Sequence, residues 1–234
     1  MAIHPDLEAE QAYIDHAYAC LEQARTSANR LKGMVEVGQG GTEQARFERE
    51  VIFDTVLNRL SQLHLGDASL LFGRIDREPD QGGETFYIGR LAVSDEGQEV
   101  VVVDWRAPVA EPFYRATGAE PMELVRRRHF TSSGRVLRGI DDEFFGEARD
   151  ALDSGAVVGQ GALISALEES RSGKLGDIVA TIQGEQDEVI RAPLPGVLVV
   201  QGGPGTGKTV VALHRAAYLL YTHRFPLEGQ GVLV

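Results

Sequence analysis

The sequence predicts a multidomain chain of α and β structure: an antiparallel helical hairpin forming a coiled-coil arm, a small antiparallel β module, and the truncated beginning of a P-loop α/β domain. Three observations predict it. Apolar residues recur at heptad spacing through the first segment, the period changes to two from Ser69, and a G-x-x-x-x-G-K-T segment follows an apolar run near residue 200. The expected divisions are 1–66 for the hairpin, 67–140 for the β module, 141–182 for an acidic helical connector and 183–234 for the start of the phosphate-loop domain.

The 234 residues could hold one large domain or two to three small ones, and 43% apolar with 25% charged residues is ordinary for a globular chain. The net charge is −12, and residues 141–196 alone carry twelve acidic against four basic side chains. That balance disfavours strong nucleic-acid binding, which needs clustered Lys and Arg, and suits a partner with a basic surface. A single cysteine, Cys20, excludes an intrachain disulfide framework and fits a reducing compartment. No apolar run is long enough to span a bilayer and no signal-peptide pattern opens the chain, so a cytoplasmic location without membrane association is expected.

In the first segment Pro5 and Asp6 mark a helix start. Leu7, Ile14, Leu21, Ala28 and Val35 recur every seven residues, with Ala17, Ala24 and Leu31 between them and Glu10 breaking the series. This is a coiled-coil seam. Gly38–Gly41 ends the helix, and a second run places Phe53, Val56, Leu60 and Leu63 on one stripe. Two helices joined by a short loop pack antiparallel. A helix of ~28 residues is ~42 Å long, so the pair could protrude as an arm or lie against the rest of the chain; heptads alone leave both open. The turn region carries only Glu36 and Glu43, far apart and flanking glycines, which argues for docking or obstruction by the tip over metal delivery.

Six segments then read as short strands: SLLFGRI, TFYIGRLAV, EVVVVDW, EPFYRA, MELVRRRHF and RVLRGID, separated by Gly, Pro and Asp. They suggest a small antiparallel sheet or barrel. Asp104, Trp105 and Arg106 run into Pro108 and are expected to form a buried corner, with Asp104 pairing Arg106 or a neighbouring arginine, in preference to a binding site. Arg126, Arg127 and Arg128 should alternate faces, as on a solvated edge strand. Asp141–Asp142–Glu143 reads as a helix start. The six histidines show no metal-ligand spacing among themselves or with Cys20.

The run Gly196–Gln201 is expected to be a buried parallel strand, followed by the loop Gly202–Thr209 and the helix VVALHRAAYLLY. Gly202, Gly203, Pro204, Gly205, Thr206 and Gly207 let consecutive backbone N–H groups face phosphate oxygens at a helix N-terminus. Lys208 would meet the outer phosphates and Thr209 would ligate Mg²⁺, making these two the catalytic candidates of an ATP site.

The stretch IQGEQDEVIRAPLPGVLVVQGGPGTGKTVVALHRAAYLLY resembles the first motifs of UvrD-like superfamily 1 helicases, whose motor domains are RecA-like. That resemblance implies that Gln186, rather than Gln183, reads the adenine edge. Val210 stands where the family commonly has Arg, so that contact does not carry over. Taken with the upstream hairpin, VVVDWRAPVAEPFY and RRRHF, the chain resembles the HelD family. This implies a helicase-like ATPase that uses ATP and Mg²⁺ and binds core RNA polymerase. It would release the enzyme from nucleic acid, in some relatives with rifamycin protection, its hairpin entering the secondary channel. Nucleic acid would then be met only indirectly or through segments beyond this sequence. The chain is expected to be an N-terminal fragment, inactive alone because the groups that position water and stabilise the transition state are absent. The alternatives are a UvrD-type DNA repair or replication helicase with a protein-binding extension, and a pure interaction module.

Overall fold

The computed structural model describes residues 4–37, 43–66, 68–78, 83–146, 179–227 and 232. The glycine loop at 38–41, most of the expected connector and the segment after Leu227 apart from Val232 lie outside the described residues. Two helices open the chain, α1 (Leu7–Val37) and α2 (Glu43–Gln62). Six strands follow: β1 (Leu71–Arg77), β2 (Thr85–Gly89), β3 (Val93–Ser94), β4 (Val100–Asp104), β5 (Leu124–Ser133) and β6 (Val136–Phe144). A short helix α3 (Glu111–Arg115) sits between β4 and β5, and α4 (Gly184–Arg191), α5 (Lys208–Thr222) and α6 (Arg224–Leu227) complete the described elements.

The sheet order is β3-β4-β2-β1-β5-β6. The sheet is mixed, which corrects the expected all-antiparallel module: β2 and β4 run parallel, with Ile88 beside Val103 and Gly89 beside Asp104. Two-residue β3 causes this. The segment TFYIGRLAV does not continue straight; it breaks after Gly89, and β3 turns back against β4 on the far side. The strand expected at EPFYRA is instead helical, because Pro108 and Pro112 each open a helical turn where a missing N–H costs nothing.

Neighbouring residues of β5 show how the two faces are used. Arg128 reaches α1, where its guanidinium meets Glu10 at 2.6 Å and Asp6 at 2.7 Å. Arg127 points the other way and donates to the carbonyls of Phe113 (3.0 Å) and Ala116 (3.1 Å). The alternation of the arginine run is therefore as expected, but its setting is not. The strand β5 lies between β1 and β6, and Arg128 is 1% exposed. A charge so deeply placed needs partners, and they arrive from directly opposite positions on β6: Asp142 faces Arg128 and Glu143 faces Arg127. That pairing also overturns the helix-start reading of Asp141–Glu143, which form the end of β6.

One apolar cluster joins Ile14, Ala17, Tyr18 and Leu21 of α1 and Leu63 to Leu70, Leu71, Val102, Phe130 and Leu137. A second joins Phe72, Ile75, Ile88 and Val103 to Trp105, Phe113, Ile182, Ile190 and Val211. The first half of α1 is thus part of the core. Glu10, the residue that broke its heptad series, is buried on that same face because Arg74 (2.7 Å) and Arg128 hold it. Further along, Ala28 and Val56 are buried and Arg25 donates to the Leu63 carbonyl, which locks α1 against the end of α2. Beyond that point the side chains open to solvent: Leu31, Met34, Phe47, Val51 and Ile52 are all exposed. The base of the hairpin is packed on the sheet, and five large apolar side chains among the described distal residues are exposed.

Candidate nucleotide-binding site

The residues expected to hold phosphate form one tight loop at the start of α5. Gly205 and Gly207 take φ of 79° and 83°, values in the left-handed region that favours glycine. The Thr206 hydroxyl donates to the Gly203 carbonyl at 3.0 Å, and an added methyl on Gly202 would come within 2.8 Å of that hydroxyl, so the loop closes on itself. Pro204 and Gly205 make the intervening turn. Gly207 caps α5, whose first turn holds Lys208 and the exposed Thr209. The Lys208 ammonium donates to the carbonyls of Gly202 (2.9 Å) and Gly203 (2.6 Å). It thus lies folded over the loop, with exposed donors that an anion could take in exchange for these carbonyls.

Gln186 is brought to this loop. It occupies the third position of α4, where its Oε1 accepts from the Gln183 backbone N–H at 3.2 Å in a capping box. Its amide nitrogen is the nearest neighbour of Gly207, 3.4 Å from where a Cβ would stand. Gln183, the other candidate, is the capping residue itself, and its side-chain N–H donates to the Thr181 carbonyl. The run Gly196–Gln201 departs from expectation. It forms no strand, and Val197 and Val199 are 92% and 76% exposed. A central parallel strand exists only by hydrogen bonding to flanking strands, and among the described residues none lies beside it.

A set of residues not singled out from the sequence supports the loop from behind. Arg191, at the end of α4, pairs with fully buried Asp187 (2.9 and 3.1 Å) and donates to the carbonyls of Trp105, Arg106 and Ala107. Burial pushes the Asp187 carboxyl above its ordinary range even though Arg191 opposes that shift. Arg215 of α5 donates to the carbonyls of Val189, Ile190, Ala192 and Pro193, capping the C-terminal end of α4. In the corner Asp104 and Trp105 are buried and Arg106 half-buried, and the expected pair forms with the Arg106 guanidinium 2.8 and 2.5 Å from the Asp104 oxygens. It also packs on α5: Trp105 lies edge-on to His214, and Arg106 sits over the Tyr221 ring. The four-residue spacing of Asp187 and Arg191 was a readable signal for a helical ion pair; its burial was not.

No group of His, Cys, Asp and Glu able to hold a metal occurs among the described residues, and none of their helices is long and apolar enough to cross a membrane. Residues 7–156 match the family model described as DNA helicase IV HelD, N-terminal domain. The chain belongs to the HelD family. Among curated proteins none matches it. HelD membership makes the whole protein one of a helicase-like ATPase family, and the matched stretch spans the hairpin base, the sheet and the Asp104–Arg106 corner. The loop 202–209 and Gln186 lie past it.

Proposed function

We propose that the chain serves an ATP-driven HelD-type factor that binds core RNA polymerase and releases it from nucleic acid, with the hairpin docking in the polymerase secondary channel and loop 202–209 binding ATP with Mg²⁺. The observation that carries the nucleotide half is the placement of Gln186 beside Gly207 at the mouth of the loop. The donor set fits the group: glycine-rich backbone and Lys208 for the phosphates, the Thr209 hydroxyl for Mg²⁺, and Gln186 for the base. When bound, Mg²⁺ would neutralise charge on the outer phosphates. Lys208 would exchange its two carbonyl acceptors for phosphate oxygens.

For the polymerase half, support comes from the hairpin. Its base is locked in the core while five large apolar side chains stand exposed on its distal half, apolar surface of the kind that protein contacts cover. The net charge of −12 favours a basic protein surface over nucleic acid. The family description names a DNA helicase, which favours a second reading in which duplex DNA is the partner.

One experiment separates these. The chain is tested for binding to core RNA polymerase and to duplex DNA, unaltered and with Leu31, Met34 and Phe47 changed to Ser. Polymerase binding lost in the variant supports the proposal; duplex binding without polymerase binding supports the helicase. Deleting residues 1–65 would be a poorer test, since it strips Ile14, Ala17 and Leu21 from the core. Lys208→Ala should weaken ATP binding at least about tenfold, the worth of a charge-assisted contact to phosphate, as measured by calorimetry.

A further inference from the structure

The Asp104–Arg106 corner has no part in the function so far, yet a guanidinium from a distant helix is fastened to it. Its three carbonyls at Trp105, Arg106 and Ala107 accept from one guanidinium, that of Arg191, at 2.7, 3.3 and 3.4 Å. Arg191 belongs to the same short helix as Gln186. They stand five positions apart, about 7.5 Å along a helix axis, too short a length to flex. Fixing Arg191 therefore fixes the α4 backbone at Gln186, and the capping bond from the Gln183 N–H orients the Gln186 amide toward Gly207.

We propose that Arg191 is a positioning residue: by fastening α4 to the Trp105–Ala107 turn it sets the Gln186 amide against the loop, so that the β module holds the seat of the nucleotide base. Asp187 completes the fastening. It is fully buried one residue from Gln186 and holds the Arg191 guanidinium in the plane that reaches the three carbonyls. The phosphate side has further links: helix α5 is tied to the same turn through Trp105 with His214 and Arg106 with Tyr221, and to the end of α4 through Arg215. Arg191 also lies over the Tyr218 ring of α5, 5.3 Å from its centroid, a cation–ring contact that a lysine can keep. Base and phosphate recognition are thus anchored on one turn, and the hydrogen bonds that fasten α4 to that turn come from Arg191.

The inference rests on the nucleotide reading above, and its test keeps the two apart. The whole chain is measured for affinity to ATP and to inorganic tripolyphosphate, each with Mg²⁺, unaltered and as Gln186→Ala and Arg191→Lys. Lysine keeps a positive charge beside Asp187, but one ammonium cannot fork to three carbonyls and a carboxylate. Amide hydrogen exchange is followed on the same samples. Arg191→Lys should weaken ATP binding about tenfold, as Gln186→Ala does, with tripolyphosphate affinity unchanged. Exchange should quicken at 184–191 and stay constant at 71–77. An ATP-to-tripolyphosphate ratio equal to that of the unaltered chain overturns the proposal, and so does an equal loss for both ligands. If the unaltered chain binds neither ligand, the nucleotide reading falls by itself. Exchange then judges the fastening: quickened at 184–191 it stands, unchanged it is overturned.

Discussion

Gly73 is held free of a side chain chiefly by one ring: a methyl added there would overlap the edge of Phe113, with the Arg128 carbonyl 3.0 Å away. The ring cannot retreat, because it is 2% exposed and packed edge-on against Phe72 and Tyr114. Gly73→Ala should therefore cost about 1–3 kcal/mol, the usual range for overpacking, read as a lower urea midpoint at unchanged slope. His129, also against Phe113, gives a second residue-level expectation. Burial, with Arg127 adding to it, lowers its imidazole to about 4 from an ordinary 6.5. The unfolded chain then binds this proton more readily than the folded one. Stability is complete above pH 6.5 and declines as pH falls toward 4, by about 1.4 kcal/mol per unit from this group. His129→Leu should flatten that slope in denaturation series at stepped pH. Neither residue declared itself in the sequence. A glycine in a strand pattern signals close approach of something, but Phe113 belongs to a segment that itself read as a strand.

At the scale of elements, the contact between α1 and the sheet depends on charge as well as on apolar burial. Arg128 joins Glu10, Asp6 and Asp142, while Arg126 and Arg74 share Asp76. Burial would lower the Arg128 pKa, but the hydrogen bonds to Asp142 and Asp6 outweigh it and leave the guanidinium firmly charged. Arg128→Met would leave buried Glu10 to Arg74 alone and take from Asp142 its shortest ion pair. The expected loss is about 1.5–3 kcal/mol, the worth of hydrogen bonds to charged groups, with Glu10→Gln in the same background restoring part of it. Chemical denaturation of the two variants checks both signs. The sequence made the alternation of the arginines legible, and likewise the strands of β1, β4, β5 and β6. It could not make their burial legible, because Glu10 stands 118 residues from Arg128 and nothing local records the meeting. The same distance explains Glu10 itself, which looked like a fault in an apolar seam and is a buried partner. At the candidate site the reverse holds. Loop 202–209 stood out because its spacing is local, and Gln186 through the family resemblance, whereas Arg191 acts on a turn 84 to 86 residues away.

In the molecule as a whole, one helix is asked to do two unlike things, and the division falls within α1. Up to Ala28 its inward face is closed by the sheet and by α2; further on, Leu31 and Met34 stand exposed and Val35 is half-buried. If the first part is core and the second is contact surface, mutation should separate stability from binding along a single helix. Leu21 is 0% exposed among Leu70, Leu71 and Val102, so Leu21→Ala should cost about 2–5 kcal/mol through lost burial and a residual cavity. Met34 is 59% exposed, and Met34→Ser should leave the midpoint within about 0.5 kcal/mol of the unaltered chain. Thermal or urea unfolding measures the pair side by side. Comparable losses at both positions would mean that the distal hairpin is covered within the folded chain, and the exposed patch that supports polymerase docking would be lost with that result. A large loss at Leu21 with none at Met34 leaves those apolar side chains free to be spent on a partner, which is what a hairpin anchored at its base and bare at its far end requires.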